Sequence, residues 1–164
     1  GHSLRVALTS SSWASRLGIS DAQRDAVEIA ALLHDIGDVG VPDRVLQKVE
    51  MFDEGEAAIM ARTRKMSAAI LRSAGASPTL LEIVDNISSW YDGSRPDCKL
   101  CGVGIPLGAR MIAIVEAFDA MTTDRPYRKG MTEETALAIF ENEMESGQWD
   151  PGCAKVLLEI KRKA

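Results

Sequence analysis

The chain has 164 residues, enough for one domain with a buried core, and 46% of them are hydrophobic. Its 24 acidic and 19 basic residues give a net charge of −5, which argues against a surface that follows the phosphate backbone of DNA. No apolar run approaches the roughly 20 residues of a membrane span, and no secretory signal is visible. The three cysteines are an odd number and do not suggest a disulfide-stapled secreted domain, so we expect a cytoplasmic protein.

Helical periodicity begins close to the first residue. The pattern over Leu4–Leu17 predicts a first helix that Gly18 ends. Ser20 or Asp21 can cap a second helix, which carries an apolar stripe at the spacing of one helix face. A short helix is expected after Pro42, because proline suits the first position of a helix.

The middle of the chain predicts two further helices and a loop. Asp53 to Ala74 is a long amphipathic stretch, and Ser77-Pro78 starts a helix that is expected to reach about Tyr91. Residues 92–104 lack an apolar period and read as a loop. Cys98 and Cys101 in this loop have the spacing of half a zinc site, but no second pair of ligands follows, so we do not expect zinc there.

The last third of the chain predicts three helices. Pro106 opens a strongly apolar helix to about Met121, Thr132 begins the next, and Asp150-Pro151 caps the last. No segment shows the alternation of a β-strand. The sequence therefore predicts one all-α domain of about seven helices over residues 1–164.

Two places in this pattern carry candidate chemistry. His34 and Asp35 stand side by side at the end of the apolar run AALLHDIG, and Glu116 and Asp119 lie three residues apart on one face of the apolar helix. A buried carboxylate needs a hydrogen bond, an ion pair or a cation. Imidazole and carboxylate together suit a divalent transition metal that polarises a phosphate or water.

Each feature also has a structural explanation. His34 can interact with the dipole at the end of its helix, and Asp35 can cap the following turn. The two acids of the apolar helix can pair with Arg110, with Arg125 or with a helix N-terminus. The spacing alone leaves these alternatives open.

Four segments together resemble the HD superfamily of metal-dependent phosphohydrolases, and in particular its HD-GYP branch of cyclic di-GMP phosphodiesterases. They are HSLRVA from His2, AALLHDIGDVGVPDRVLQK from Ala30, IPLGARMIAIVEAFDAMTTDRPYR from Ile105 and WDPGCAKVLLE from Trp149. The resemblance implies an HD-domain-like helical bundle, usually the C-terminal output module of a bacterial signalling protein. It also implies cyclic di-GMP or another nucleotide as ligand, and as protein partner a sensor or receiver domain or a diguanylate cyclase type domain.

The resemblance further implies which residues form the site. His34 and Asp35 match the catalytic pair, and with His2 and Glu116 they match the ligands of at most one divalent metal, Mn, Fe or Ni. The matching substrate- or phosphate-binding residues are Asp119, Arg125, Tyr127 and Arg128. From the residues alone, Arg125 can instead pair with Asp119 and hold the loop against the helix.

Several positions depart from the pattern of the branch. Thr63, Ile87 and Ser88 stand where the branch has histidines, Asp38 stands where it has a lysine, and Arg95-Pro96-Asp97 replaces the GYP motif. With two histidines in the whole chain, a two-metal site is not expected. A carboxylate about 5 Å from an anionic substrate costs roughly 3 kcal/mol at an effective dielectric near 20.

These departures leave three functional hypotheses. The first is a degenerate domain that regulates by binding a nucleotide or a protein, with lost or impaired phosphodiesterase activity. The alternative is an active phosphohydrolase with a single metal. A purely structural dimerisation domain is the third.

Overall fold

The computed structural model describes residues 1–46, 48, 50–96, 98–124 and 129–162. Within these ranges the chain forms eight α-helices and two 3₁₀ helices, and no residue lies in a β-strand. The α-helices are α1 (His2–Arg16), α2 (Asp21–Leu33), α3 (Asp43–Leu46), α4 (Glu54–Ser73), α5 (Pro78–Asn86), α6 (Leu107–Thr122), α7 (Glu133–Glu143) and α8 (Pro151–Arg162). The predicted all-α class is confirmed, with one α-helix more than the seven expected.

Local capping explains where the helices begin. Ser20 and Gln23 form a capping box at the start of α2, and Asp53 and Glu56 form another at the start of α4. In each box two backbone N–H groups that lack a partner inside the helix find a side-chain acceptor. Both helices begin where the sequence predicts.

The core is built around α6. This helix contacts α1, α2, α5, α7 and α8, and seven of its residues are buried. Gly108 lets α6 approach its neighbours closely, because a Cβ there would lie 2.7 Å from Val27 of α2 and 3.0 Å from Ile83 of α5. The central position of α6 brings the carboxylates on its face close to α1 and α2.

One predicted boundary is wrong and one short helix has no counterpart in the prediction, and both differences lie at the site. Helix α5 ends at Asn86 and not near Tyr91, because Tyr91 N–H donates to the carbonyl of Gln148 instead of continuing the helix. The segment after Asp35 forms a 3₁₀ helix, Ile36–Gly40, that periodicity did not predict. In the described part of the chain, no helix has both the length and the apolar character needed to cross a bilayer.

Candidate metal centre and substrate cavity

His34 and Asp35 lie at the junction of α2 and the following 3₁₀ helix, as the sequence predicts for the end of a buried helix. Ser67 of α4 fixes this junction, since its hydroxyl accepts a hydrogen bond from Gly37 N–H at 2.9 Å. A Cβ at Gly37 would lie 2.3 Å from the carbonyl oxygen of Thr63, so only glycine fits. The tight turn against α4 thus holds the His-Asp pair in place.

The two histidines of the chain meet at this junction. Their ring centroids lie 5.9 Å apart, with His2 reaching across from the start of α1. His2 Nδ1 lies 2.7 Å from Asp119 Oδ2, and His34 Nδ1 lies 2.8 Å from the carbonyl oxygen of Ala31. A carboxylate and a carbonyl only accept, so each Nδ1 carries the proton, and in the neutral rings each Nε2 keeps a lone pair.

Both Nε2 atoms approach the same carboxylate. Asp35 Oδ2 lies 3.2 Å from His34 Nε2 and 3.9 Å from His2 Nε2. These three residues are the group of potential ligands whose donor atoms all lie within 4.8 Å of one another among the described residues. Tetrahedral ligands about 2.1 Å from one ion lie about 3.4 Å apart, so the 3.2 Å distance fits this spacing and the 3.9 Å distance is about 0.5 Å too long.

The environment of His34 supports a metal at this place. The His34 side chain is buried and its Nε2 has no hydrogen-bond donor among the described residues. A buried lone pair next to a carboxylate oxygen is unfavourable unless a proton or a cation lies between them. Two neutral imidazoles and one carboxylate therefore form a donor set that fits a divalent transition metal.

Asp119 lies behind His2 and orients it. Arg5 donates to the Asp119 carboxylate from Nε at 2.6 Å and from Nη2 at 3.0 Å, while His2 Nδ1–H donates to Oδ2. Burial alone would raise the pKa of Asp119, but the hydrogen bonds from Arg5 and His2 outweigh it and hold the pKa below its usual value. A carboxylate on the far nitrogen fixes a ligating imidazole and increases its basicity.

A cavity of about 380 Å³ adjoins the cluster. It is lined on one side by His34, Asp35, Asp38 and Glu116, and elsewhere by Thr63, Ser67, Ile87, Ser88, Trp90, Arg95, Gln148 and Trp149 among others. Burial, and to a smaller extent the nearby Asp35 carboxylate, raise the pKa of Asp38, because both disfavour its charged form.

The remaining predictions from the sequence have three different outcomes. Glu116, expected as a fourth ligand, lines the cavity but lies outside the cluster of His2, His34 and Asp35. The pairing of Asp119 with Arg110 that the spacing allowed is not formed, since Arg110 pairs with Asp150 of the segment before α8. The predicted phosphate-binding residues Arg125, Tyr127 and Arg128 lie outside the described residues.

Sequence reasoning missed the role of Arg5 and the inward position of Arg95. His2 and Arg5 are three residues apart, so they share a face of α1, and this spacing could have indicated a common partner. Arg95 gave no comparable local signal, because it lies in a turn whose position depends on distant backbone contacts. Cys98 and Cys101 are free thiols, half-buried and exposed.

Comparisons with known proteins agree with this geometry. Residues 1–152 match the family described as HD domain. The chain is 34% identical over 88% of its length to the cyclic di-GMP phosphodiesterase response regulator RpfG of Xanthomonas campestris. It is 36% identical over 96% of its length to 3′3′-cGAMP-specific phosphodiesterase 3 of Vibrio cholerae. The chain spans 39% and 34% of the lengths of these two relatives.

A solved structure has the same fold. An HDG"Y"P protein from Bdellovibrio bacteriovorus matches with a TM-score of 0.77 over 98% of this chain and 51% of that chain, at 20% identity. The fold, the His-Asp cluster and the family match lead to one assignment: the chain belongs to the HD domain family and is related to the HD-GYP cyclic dinucleotide phosphodiesterases.

Proposed function

We propose that the chain is a phosphohydrolase that uses a single divalent metal to hydrolyse the phosphodiester of a cyclic dinucleotide. The observation that carries the proposal is the convergence of His2 Nε2 and His34 Nε2 on the carboxylate of Asp35. The two named relatives are phosphodiesterases of cyclic di-GMP and of 3′3′-cGAMP, which favours this hypothesis over a domain without activity.

The residues of the chain have distinct tasks in this proposal. Asp119 and the Ala31 carbonyl fix the two rings, so that both present Nε2 toward Asp35 before any ligand arrives. A divalent ion held by His2, His34 and Asp35 would supply Lewis-acid polarisation of a phosphoryl oxygen. The cavity beside the cluster offers the volume in which the rest of the substrate lies.

Metal content and turnover test the proposal directly. Protein purified without chelators or a nickel column should contain one Mn, Fe or Ni ion per chain. It should hydrolyse cyclic di-GMP or 3′3′-cGAMP in the presence of that ion. Asp35→Ala should abolish both properties. Asp25→Ala, on an exposed position of α2, is the matched control and should change neither.

The result that would contradict the proposal is equally specific. Turnover is expected above about 0.1 per second, a threshold about tenfold below the usual range of enzyme rates. Turnover that does not depend on metal, or that survives Asp35→Ala, means that the His-Asp cluster is not the reaction centre. Two ions per chain would show that the single-metal hypothesis is wrong.

One observation supports the second candidate, a regulatory domain that binds the nucleotide without hydrolysing it. Thr63, Ile87 and Ser88 line the cavity at positions where the resemblance implies histidines, and the carboxyl group of Asp38 lies beside them. Ile87 has no donor atom, and the hydroxyl groups of Thr63 and Ser88 are weak metal ligands, so a bridged pair of ions is not favoured. Tight binding of a cyclic dinucleotide without metal-dependent turnover would support this candidate.

A further inference from the structure

Acidic side chains outnumber basic ones among the described residues that line the substrate cavity. Three carboxyl groups from the described part of the chain line it, those of Asp35, Asp38 and Glu116. Among the described residues that line it, Arg95 has the one side chain with a permanent positive charge. A phosphodiester anion that enters this cavity therefore needs the metal site, Arg95 or both to offset the repulsion.

Arg95 is held in the cavity by a neutral group. Its Nη1 donates a hydrogen bond of 2.8 Å to the carbonyl oxygen of Ser88, and its side chain is half-buried. A carbonyl fixes the guanidinium but does not neutralise its charge. The guanidinium has five N–H donors, so one bond to the carbonyl leaves further donors for a ligand.

Hydrogen bonds anchor the turn that precedes Arg95. Tyr91 N–H and Asp92 N–H donate to the carbonyls of Gln148 and Gly147, and Ser94 N–H donates to the Asp92 carboxylate at 2.8 Å. These bonds join the turn that carries Arg95 to the segment before α8. The guanidinium is thus presented to the cavity by backbone contacts that do not require a bound ligand.

We propose that Arg95 is a substrate-binding residue whose guanidinium donates to phosphoryl oxygens of the anionic substrate, beside the His2–His34–Asp35 cluster. The planar fork of donors matches a phosphate, and a charge-assisted bond is stronger than a neutral one. Only the identity of the substrate, a cyclic dinucleotide, rests on the proposed function. In the sequence, Arg95 belongs to the segment that replaces the GYP motif. Its position in the cavity supports a role in binding the substrate.

Binding of cyclic di-GMP and of 3′3′-cGAMP by isothermal titration calorimetry tests Arg95, once with manganese and once with EDTA. Arg95→Gln should raise the Kd about tenfold to hundredfold, the usual effect of losing a charge-assisted hydrogen bond. Arg95→Lys keeps the charge but loses the fork, and should raise the Kd about threefold to tenfold. Arg72→Gln removes an exposed arginine that pairs with Asp85, and should leave the Kd within twofold.

Chemical rescue separates substrate binding from a purely structural role. Guanidinium chloride at low millimolar concentration, far below denaturing levels, should restore part of the affinity of Arg95→Ala and should not affect the wild-type protein. A structural defect in the turn would not respond to a small cation of this shape. Circular dichroism confirms that each variant is folded.

The outcomes distinguish this inference from the proposed function. Weaker binding by Arg95→Gln in EDTA supports the inference even if no turnover is found. Metal-dependent turnover together with an unchanged Kd in Arg95→Gln overturns the inference and leaves the proposed function intact. If Arg95→Gln does not fold, a Kd of Arg95→Lys within twofold of wild type overturns it. Wild-type protein that binds neither nucleotide in either condition overturns both.

Discussion

Asp119→Asn should weaken metal binding while the domain stays folded. The Asp119 carboxylate accepts from His2 Nδ1 at 2.7 Å and from two nitrogens of Arg5, and its side chain is 12% exposed. Asparagine fills the same volume and keeps one oxygen acceptor, but it has no charge. The imidazole of His2 would lose its fixed orientation and part of its basicity.

The expected loss of metal affinity follows from this arrangement. Loss of a carboxylate behind a ligating histidine typically lowers metal affinity 10- to 100-fold, or about 1.4 to 2.8 kcal/mol. The cost in folding free energy should be smaller, because the Arg5 side chain is 46% exposed and can be solvated once it loses its partner. We therefore expect a large change in the metal Kd and a loss of stability of about 1 kcal/mol or less.

Competition with a fluorescent chelator measures the Kd for Mn²⁺, and urea unfolding measures the stability of the metal-free protein. Asp150→Asn is the matched control, because Asp150 is a buried aspartate that, like Asp119, pairs with an arginine, but it lies outside the metal cluster. The control should lose stability and keep its metal affinity. An Asp119→Asn protein that binds Mn²⁺ within twofold of wild type would refute the role of Asp119 as the residue that orients His2.

Three other predictions use different parts of the molecule. Gly37→Ala should lower the free energy of unfolding by about 1 to 3 kcal/mol in urea, because its Cβ would lie 2.3 Å from the carbonyl oxygen of Thr63; no loss would mean that the turn can shift. Cys153 should react with a thiol reagent only after unfolding, because it is buried and burial raises its pKa to about 12, whereas the other two cysteines should react in the native protein; three fast thiols would contradict this. The free energy of unfolding should fall as the pH drops below about 4. Burial raises the pKa of Asp150, but the hydrogen bond from Arg110 outweighs burial and holds this pKa below 3.8. The stabilisation is therefore complete above the unfolded pKa of about 3.9 and is lost as the pH falls through the folded pKa. Acid titration followed by circular dichroism should show a shallower loss for Asp150→Asn, and an unchanged slope would contradict the assignment.

The helices could be predicted from the sequence because their signals are local. Capping residues and apolar periods act within a few residues, and both can be recognised in the sequence. The end of α5 could not be predicted in this way. It depends on hydrogen bonds from Tyr91 and Asp92 to a segment more than fifty residues later in the chain. Periodicity contains no information about such a contact.

The site shows the same division between local and distant information. The position of His34 and Asp35 at the end of a helix follows from the apolar run before them. The sequence places Glu116 and Asp119 on one face of α6, but three residues correspond to about 60° of rotation and 4.5 Å of rise. Which of the two carboxylates reaches His2 depends on how α6 is rotated against α1, which only the packed structure determines. In the structure it is Asp119.

The charges of the cavity must be considered together rather than one substitution at a time. At the level of sequence, Asp38 in place of a lysine and Arg95 in place of a glycine of the GYP motif both count as losses. In the structure both side chains line the same cavity, and their charges are opposite. The cavity therefore contains a positively charged side chain, Arg95, although Asp38 stands where the resemblance implies a lysine. For this reason, the substitutions alone do not imply an inactive domain, and the affinity of Arg95 variants for a cyclic dinucleotide becomes the informative measurement.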